Sequence, residues 1–142
     1  MQTVQQILNS KSGQVLSVVR NTKVYDALAM MAQHDVGALI VLERGKLIGV
    51  FSERDYARKV ILHGKSSKNI PVAEIMTESV VSVRPEHTVQ DCMAIMTDKR
   101  VRHLPVVDDA GVVGVISIGD VVKAMLDDQQ FLITQLEHYI TT

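Results

Sequence analysis

The chain has 142 residues, of which 46% are hydrophobic and 22% charged, with a formal net charge of -1. That length holds one compact unit or two small ones and excludes two large domains. The near-neutral charge gives no electrostatic reason to expect nucleic acid or an anionic membrane as partner, and no apolar stretch approaches the roughly 20 residues of a spanning helix.

The N-terminal Met1-Gln2-Thr3-Val4-Gln5-Gln6-Ile7-Leu8 lacks a basic leader followed by a long apolar core, so a cytoplasmic protein is expected. Val4, Ile7 and Leu8 make a short helical pattern, broken at Lys11-Ser12-Gly13. Val15 to Val19 is a β-branched run expected to be a strand. Val24, Ala27, Leu28 and Met31 then repeat at helical spacing and give one apolar face, with Thr22 as candidate N-cap and a fade at His34-Asp35. After Gly37, Ala38-Leu39-Ile40-Val41-Leu42 is almost wholly apolar, as in a strand covered on both faces. Glu43-Arg44-Gly45-Lys46 turns the chain, Leu47 to Phe51 returns as a strand, and Asp55 to His63 reads as a helix. The polar stretch Gly64-Lys65-Ser66-Ser67-Lys68-Asn69-Ile70-Pro71 is the natural linker, short enough to suggest two halves packed directly together.

The second half repeats the first. Val72-Ala73-Glu74-Ile75-Met76 echoes Val4 to Leu8, Val80 to Val83 matches Val15 to Val18, and Val89, Cys92, Met93 and Met96 restate the first helical face. Leu104 to Val107 and Val112 to Ile116 restate the strand pair, with no gap needed from Val15 to Asp120 at a spacing of 65 residues. Such an ordered set of matches is an internal duplication. The first repeat spans residues 4–63, the linker 64–71, the second repeat 72–126, and a helical tail 127–142 carries Leu132, Leu136 and Tyr139 or Ile140 on one face. That tail either packs back on its own domain or serves as a dimerisation or partner-binding helix. Cys92 is the single cysteine, so no intrachain disulfide is available and a reducing compartment is expected.

The segment Gly49-Val50-Phe51-Ser52-Glu53-Arg54-Asp55 carries the chemistry, and it returns as Gly114-Val115-Ile116-Ser117-Ile118-Gly119-Asp120. An apolar strand ending in a hydroxyl, with a carboxylate three residues on, places both groups beside the electropositive first turn of a helix. Such a place suits a ligand with sugar hydroxyls and a phosphate. The same Ser-x-x-Asp pattern also fits a helix capping box, and it is the duplication that favours the ligand. Arg58, Lys59, Lys65 and Lys68 have a plain alternative as solvated surface charges, and Cys92 with Met30, Met31, Met93 and Met96 as core filler. His103 is either a ligand contact or a packed histidine. His34, His63 and His138 are too widely spaced for a metal site.

Each repeat resembles a cystathionine-β-synthase (CBS) domain, and the chain resembles a stand-alone CBS pair. The resemblance rests on Thr22 to Ala27, Gly37 to Val41 and Gly49 to Asp55, with second copies at His87 to Cys92, Val101 to Val107 and Gly114 to Asp120. It implies an α/β (α+β) fold of two β-α-β-β-α repeats packed sheet to sheet about a pseudo-twofold axis, here with an extra C-terminal helix. It also implies two clefts for adenosine-containing ligands (AMP foremost, then ADP, ATP or NAD), a homodimeric disc of four repeats, and a regulatory rather than catalytic role toward another protein.

Carried over by motif, one cleft would combine Thr22, Ala27, Val36 and Ala38 with Arg102, His103, Ile116, Ser117 and Asp120. The other would combine His87, Cys92, Val101 and His103 with Gly37, Phe51, Ser52, Arg54 and Asp55. The two aspartates would take ribose hydroxyls, the serines ribose or phosphate, and the apolar strand residues the adenine. Arg54 stands where the second repeat has Gly119, so the first Ser-x-x-Asp segment is expected to bind phosphate more strongly, with Arg58 and Lys59 reinforcing it if they face inward, while Arg102-His103, in place of Gly37-Ala38, would bring a phosphate-facing charge to the second repeat. The competing readings are a scaffold subunit with vestigial clefts and, less in keeping with the residues, an enzyme.

Overall fold

The computed structural model describes residues 1–11 and 15–141. The break expected at Ser12-Gly13 lies outside the described residues. Helices α1 (Val4–Ser10), α2 (Val24–His34), α3 (Glu53–Tyr56), α4 (Val89–Lys99) and α5 (Ile118–Thr141) alternate with strands β1 (Ser17–Val19), β2 (Ala38–Glu43), β3 (Lys46–Ser52), β4 (His103–Asp108) and β5 (Gly111–Ser117). A π-helical turn over Ala57–Ile61 prolongs α3, and a 3₁₀ turn covers Val72–Glu74. The chain divides into two compact units: Val15–Val81 form a central unit, and the N-terminal residues join Ser82 onward in a terminal unit.

In the central unit β2 pairs parallel with β1 and antiparallel with β3. Ala38, Leu39, Ile40 and Val41 are all buried, so β2 is covered on both faces as its unbroken apolar run requires. Leu39 and Val41 meet Val24, Ala27 and Met31 of α2 in a core cluster that also holds Phe51 and Val60. Thr22 does not cap α2. The N-cap is Lys23, without a side-chain bond, and the Thr22 hydroxyl instead accepts the Val19 N–H at 3.2 Å. The first N–H groups of α2 are satisfied by linker carbonyls, Val24 to Ile70 at 2.9 Å and Tyr25 to Ser67 at 2.9 Å.

The terminal unit repeats the β2–β3 hairpin as β4–β5, with a register irregularity at the equivalent place, Val41/Leu42 in one and Val106/Val107 in the other. The strand expected over Val80 to Val83 shrinks to a single bridge between Val83 and Val106. Ahead of the bridge the Val80 N–H turns back to the Glu78 carbonyl at 2.8 Å, and beyond it the Arg84 N–H goes to His87 Nδ1 at 2.8 Å and Pro85 has no N–H to offer, so the pairing extends in neither direction. Helix α4 carries the capping box its partner helix lacks, with Thr88 and Asp91 bonded reciprocally.

The segments that open each repeat are exchanged between the units. Val72–Glu74 belongs with the central unit, and α1 with the terminal unit. Equivalent backbone bonds mark the exchange: Val72 N–H to Thr22 carbonyl and Val4 N–H to His87 carbonyl, both 2.8 Å. Glycine at equivalent points of β3 and β5 makes room for these segments. A β-carbon on Gly49 would come within 2.6 Å of Met76 Sδ, and one on Gly114 within 2.5 Å of Leu8 Cδ2.

The expected C-terminal helix is present as the second half of α5, which runs 24 residues without interruption. Its first turns bury Val121 and Ala124, whereas Phe131, Leu132, Ile133, Leu136, Tyr139 and Ile140 are exposed. No described helix is long and apolar enough to cross a membrane.

Candidate functional site

Both units build the same corner where a strand hands over to a helix. In the central unit Ala38 is in register with Ser52, and the Glu53 N–H donates to the Gly37 carbonyl at 3.1 Å. In the terminal unit His103 is in register with Ser117, and the Ile118 N–H donates to the Arg102 carbonyl at 2.8 Å. The start of one strand is thereby tied to the first helical residue after the next. Gly37, Ala38, Ser52 and Asp55 come together in one corner, and Arg102, His103, Ser117 and Asp120 in the other.

Capping is realised in both corners. Ser52 Oγ accepts the Asp55 N–H at 3.2 Å while Asp55 Oδ2 accepts the Ser52 N–H at 3.0 Å. Ser117 Oγ accepts the Asp120 N–H at 3.1 Å, and Asp120 Oδ2 accepts the Ser117 N–H at 2.9 Å. The cap aims each carboxylate and uses part of one oxygen. What occupies the rest differs.

Asp55 is 8% exposed and the only buried charged residue among those described. Besides the Ser52 N–H, its Oδ2 accepts the Ser52 hydroxyl at 3.0 Å, and its Oδ1 takes the Thr77 hydroxyl at 3.1 Å and Lys59 Nζ at 3.1 Å. Four donors fill the roughly four acceptor sites of a carboxylate. Lys59 is held a second time by the Ile75 carbonyl at 3.0 Å, which ties its ammonium to this corner although the side chain is 44% exposed. The Asp120 side chain is 24% exposed, and its Oδ2 takes Lys11 Nζ at 2.8 Å. Among the described residues its Oδ1 has no donor. Burial works to raise the Asp120 carboxyl, but the hydrogen bond and charge of Lys11, with the Ser117 donors, outweigh it and hold the group below its ordinary value.

Among the other expected site residues, Thr22 lies in the turn after β1, and Val36 is half-buried against the central core. Arg54 is half-buried in the first turn of α3, while Arg58 is exposed on the π-helical turn. His87 is half-buried and spends Nδ1 on the Arg84 N–H. Val101 is half-buried and Arg102 exposed at the approach to β4. Ala27, Phe51, Cys92 and Ile116 are fully enclosed and present no side-chain surface to solvent. Enclosure, with the charge of Asp91 adding to it, pushes the Cys92 thiol up to about 11, so it behaves as core filler. Gly119 has ordinary helical backbone, and a β-carbon there would meet only Ser117 Oγ at 3.6 Å. Sequence reasoning missed Thr77 and Lys11. Both follow the repeated opening segments, Val72–Met76 and Val4–Leu8, and that adjacency was the one available signal.

A model of the CBS domain matches residues 4–62 and 72–127. The chain is 42% identical to the CBS domain-containing protein CBSX3, mitochondrial, of Arabidopsis thaliana, over 97% of this chain and 71% of that protein. Among solved structures it is similar to a CBS-domain protein from Burkholderia ambifaria, with 47% identity, a TM-score of 0.85 and coverage of 89% and 96% of the two chains. It is also similar to the CBS domain pair of protein MJ0100 in complex with 5'-methylthioadenosine and S-adenosyl-L-methionine, with 25% identity, a TM-score of 0.79 and coverage of 90% and 98%.

Proposed function

The chain belongs to the CBS-domain family, and from that premise we propose that it is a regulatory sensor of adenine nucleotides that modulates a partner protein. The observation that supports this most is the duplicated corner, in which a strand-end serine and a helix-start aspartate are bonded reciprocally in both units. A carboxylate fixed in this way meets two vicinal hydroxyls without losing further side-chain freedom, which suits a ribose. AMP is the foremost ligand, with ADP, ATP and NAD as alternatives, and MJ0100 is a similar protein solved with two adenosine compounds. In this reading Asp55 and Asp120 hold ribose, Ser52 and Ser117 hold ribose or phosphate, and Arg54 meets phosphate. Arg102 and His103 bring charge toward phosphate, Val36, Gly37, Ala38 and Val101 flank the base, and Thr22, Arg58, His87 and Gly119 shape the walls, with Ala27, Phe51, Cys92 and Ile116 packed behind them.

The same reading makes the protein non-catalytic, cytoplasmic and homodimeric, with four CBS repeats in the assembly and the regulated protein as a separate chain. A thiol raised to about 11 by enclosure is a poor nucleophile near neutral pH, so Cys92 has no part in the ligand chemistry of this reading.

A panel of thermal melts with AMP, ADP, ATP, NAD and S-adenosylmethionine tests the proposal. A ligand at 100 times its dissociation constant stabilises by about 2.7 kcal/mol, a rise of several degrees for a chain of this size. A second reading, a scaffold subunit with vestigial sites, draws support from the four internal donors on Asp55 and from the exposed apolar residues of α5. No rise with any of the five compounds would favour it.

A further inference from the structure

We propose that Lys11 is a built-in competitor for the ligand at Asp120, setting the affinity of that carboxylate for ribose hydroxyls. The inference rests on the adenosine-binding reading above and adds a residue outside both Ser-x-x-Asp motifs. Lys11 comes from the far end of the chain, 109 residues from Asp120. Its ammonium spans two acceptors of the terminal-unit corner, the Val115 carbonyl at 2.9 Å and Asp120 Oδ2 at 2.8 Å. A vicinal diol binds a carboxylate best through both oxygens. On Asp120, Oδ1 has no donor among the described residues, but Oδ2 already carries Lys11 and the Ser117 N–H. The N–H belongs to the cap and stays. Lys11 is the partner that yields, because its side chain is 41% exposed and water takes up the released ammonium. Ligand binding and the Lys11 contact therefore exclude one another at a single oxygen.

The central unit has no equivalent arrangement. Lys59 comes from the same repeat, four residues after Asp55, and a further donor, Thr77, shares Oδ1 with it. Removing Lys59 alone leaves that oxygen engaged. Of the two corner lysines, Lys11 is the one whose removal leaves its oxygen, among the described residues, with the cap alone.

Titration calorimetry with AMP and with adenosine tests the inference on the full chain, using Lys11→Met, Lys11→Arg and Asp120→Asn beside the wild type. Lys11→Met should tighten both compounds roughly two- to five-fold, the range expected for loss of an exposed ion pair. Lys11→Arg should stay near wild type, and Asp120→Asn should lose binding at that site. If Lys11→Met weakens AMP and leaves adenosine unchanged, Lys11 is a phosphate ligand and the competition is overturned. Unchanged binding in Lys11→Met with loss in Asp120→Asn also overturns the competition while the adenosine reading stands. If Asp120→Asn binds as wild type does, or the wild type binds neither compound at millimolar concentration, both fall together.

Discussion

Asp55 and Asp120 occupy equivalent places in the two units, with the same cap and the same strand register beside them, and each meets a lysine, yet the two lysines come from different segments and only Asp55 has a further hydroxyl donor. Asp55 is closed by Thr77 and Lys59, the first from the segment that opens the second repeat and the second from its own helix. Asp120 is met by Lys11, from the segment after α1, and keeps one oxygen open among the described residues. The duplication preserved the geometry that aims the carboxylate and a lysine beside it, while the source of that lysine and the number of further donors differ. A carboxylate with four donors is costly to uncover, since each bond to a charged group is worth about 1.5 to 3 kcal/mol. One that meets a single lysine beyond its cap, and has no hydroxyl donor such as Thr77, is less so. The two corners are therefore unequal acceptors, although their motifs look alike.

The largest difference between the units should appear where the exchanged segments cross the strands. Gly49→Ala is expected to cost about 1 to 3 kcal/mol, because besides Met76 the new carbon lies 3.1 Å from the Thr77 carbonyl, which is backbone and yields little. Gly114→Ala meets only the end of the Leu8 side chain and should fall at the low end of that range or below it. Urea denaturation of the two variants decides this, and equal losses would mean that both crossings are alike.

A smaller effect separates the two long helices of the repeats. Thr88→Ala removes the capping hydroxyl of α4 and should cost about 1 kcal/mol by the same assay. Lys23→Ala should change almost nothing, because the N-terminus of α2 is closed by the Ile70 and Ser67 carbonyls rather than by a side chain. A comparable loss at Lys23 would contradict the account of that cap.

The 65-residue period was legible because duplication acts on side-chain pattern, and pattern is what a sequence displays. The apolar faces follow from it: Val24, Ala27 and Met31 are buried in α2, as are Val89, Cys92 and Met96 in α4. The cap of α2 was misread because Thr22 is a good capping residue placed one position too early, and backbone carbonyls from the linker took the work. The exchange of the opening segments was hidden, since Val4-Ile7 and Val72-Ile75 are equally apolar and periodicity does not say which sheet an apolar turn will cover. Asp127-Asp128-Gln129-Gln130 marked a polar interval in the sequence, but all four tolerate a helix. No glycine or proline follows Gly119, so α5 continues through them. In the candidate site the motif carboxylates and hydroxyls were readable. Lys11 and Thr77 were not, because their contacts with Asp120 and Asp55 depend on that exchange.

The central claim is that these two carboxylates are the anchors of an adenosine ligand. Calorimetric titration of AMP into Asp55→Asn, Asp120→Asn and the double variant tests it most directly, with thermal melts to confirm that each variant is folded. Each single change should remove binding at its own corner, and the double change should abolish binding. A folded double variant that binds AMP as the wild type does would contradict it.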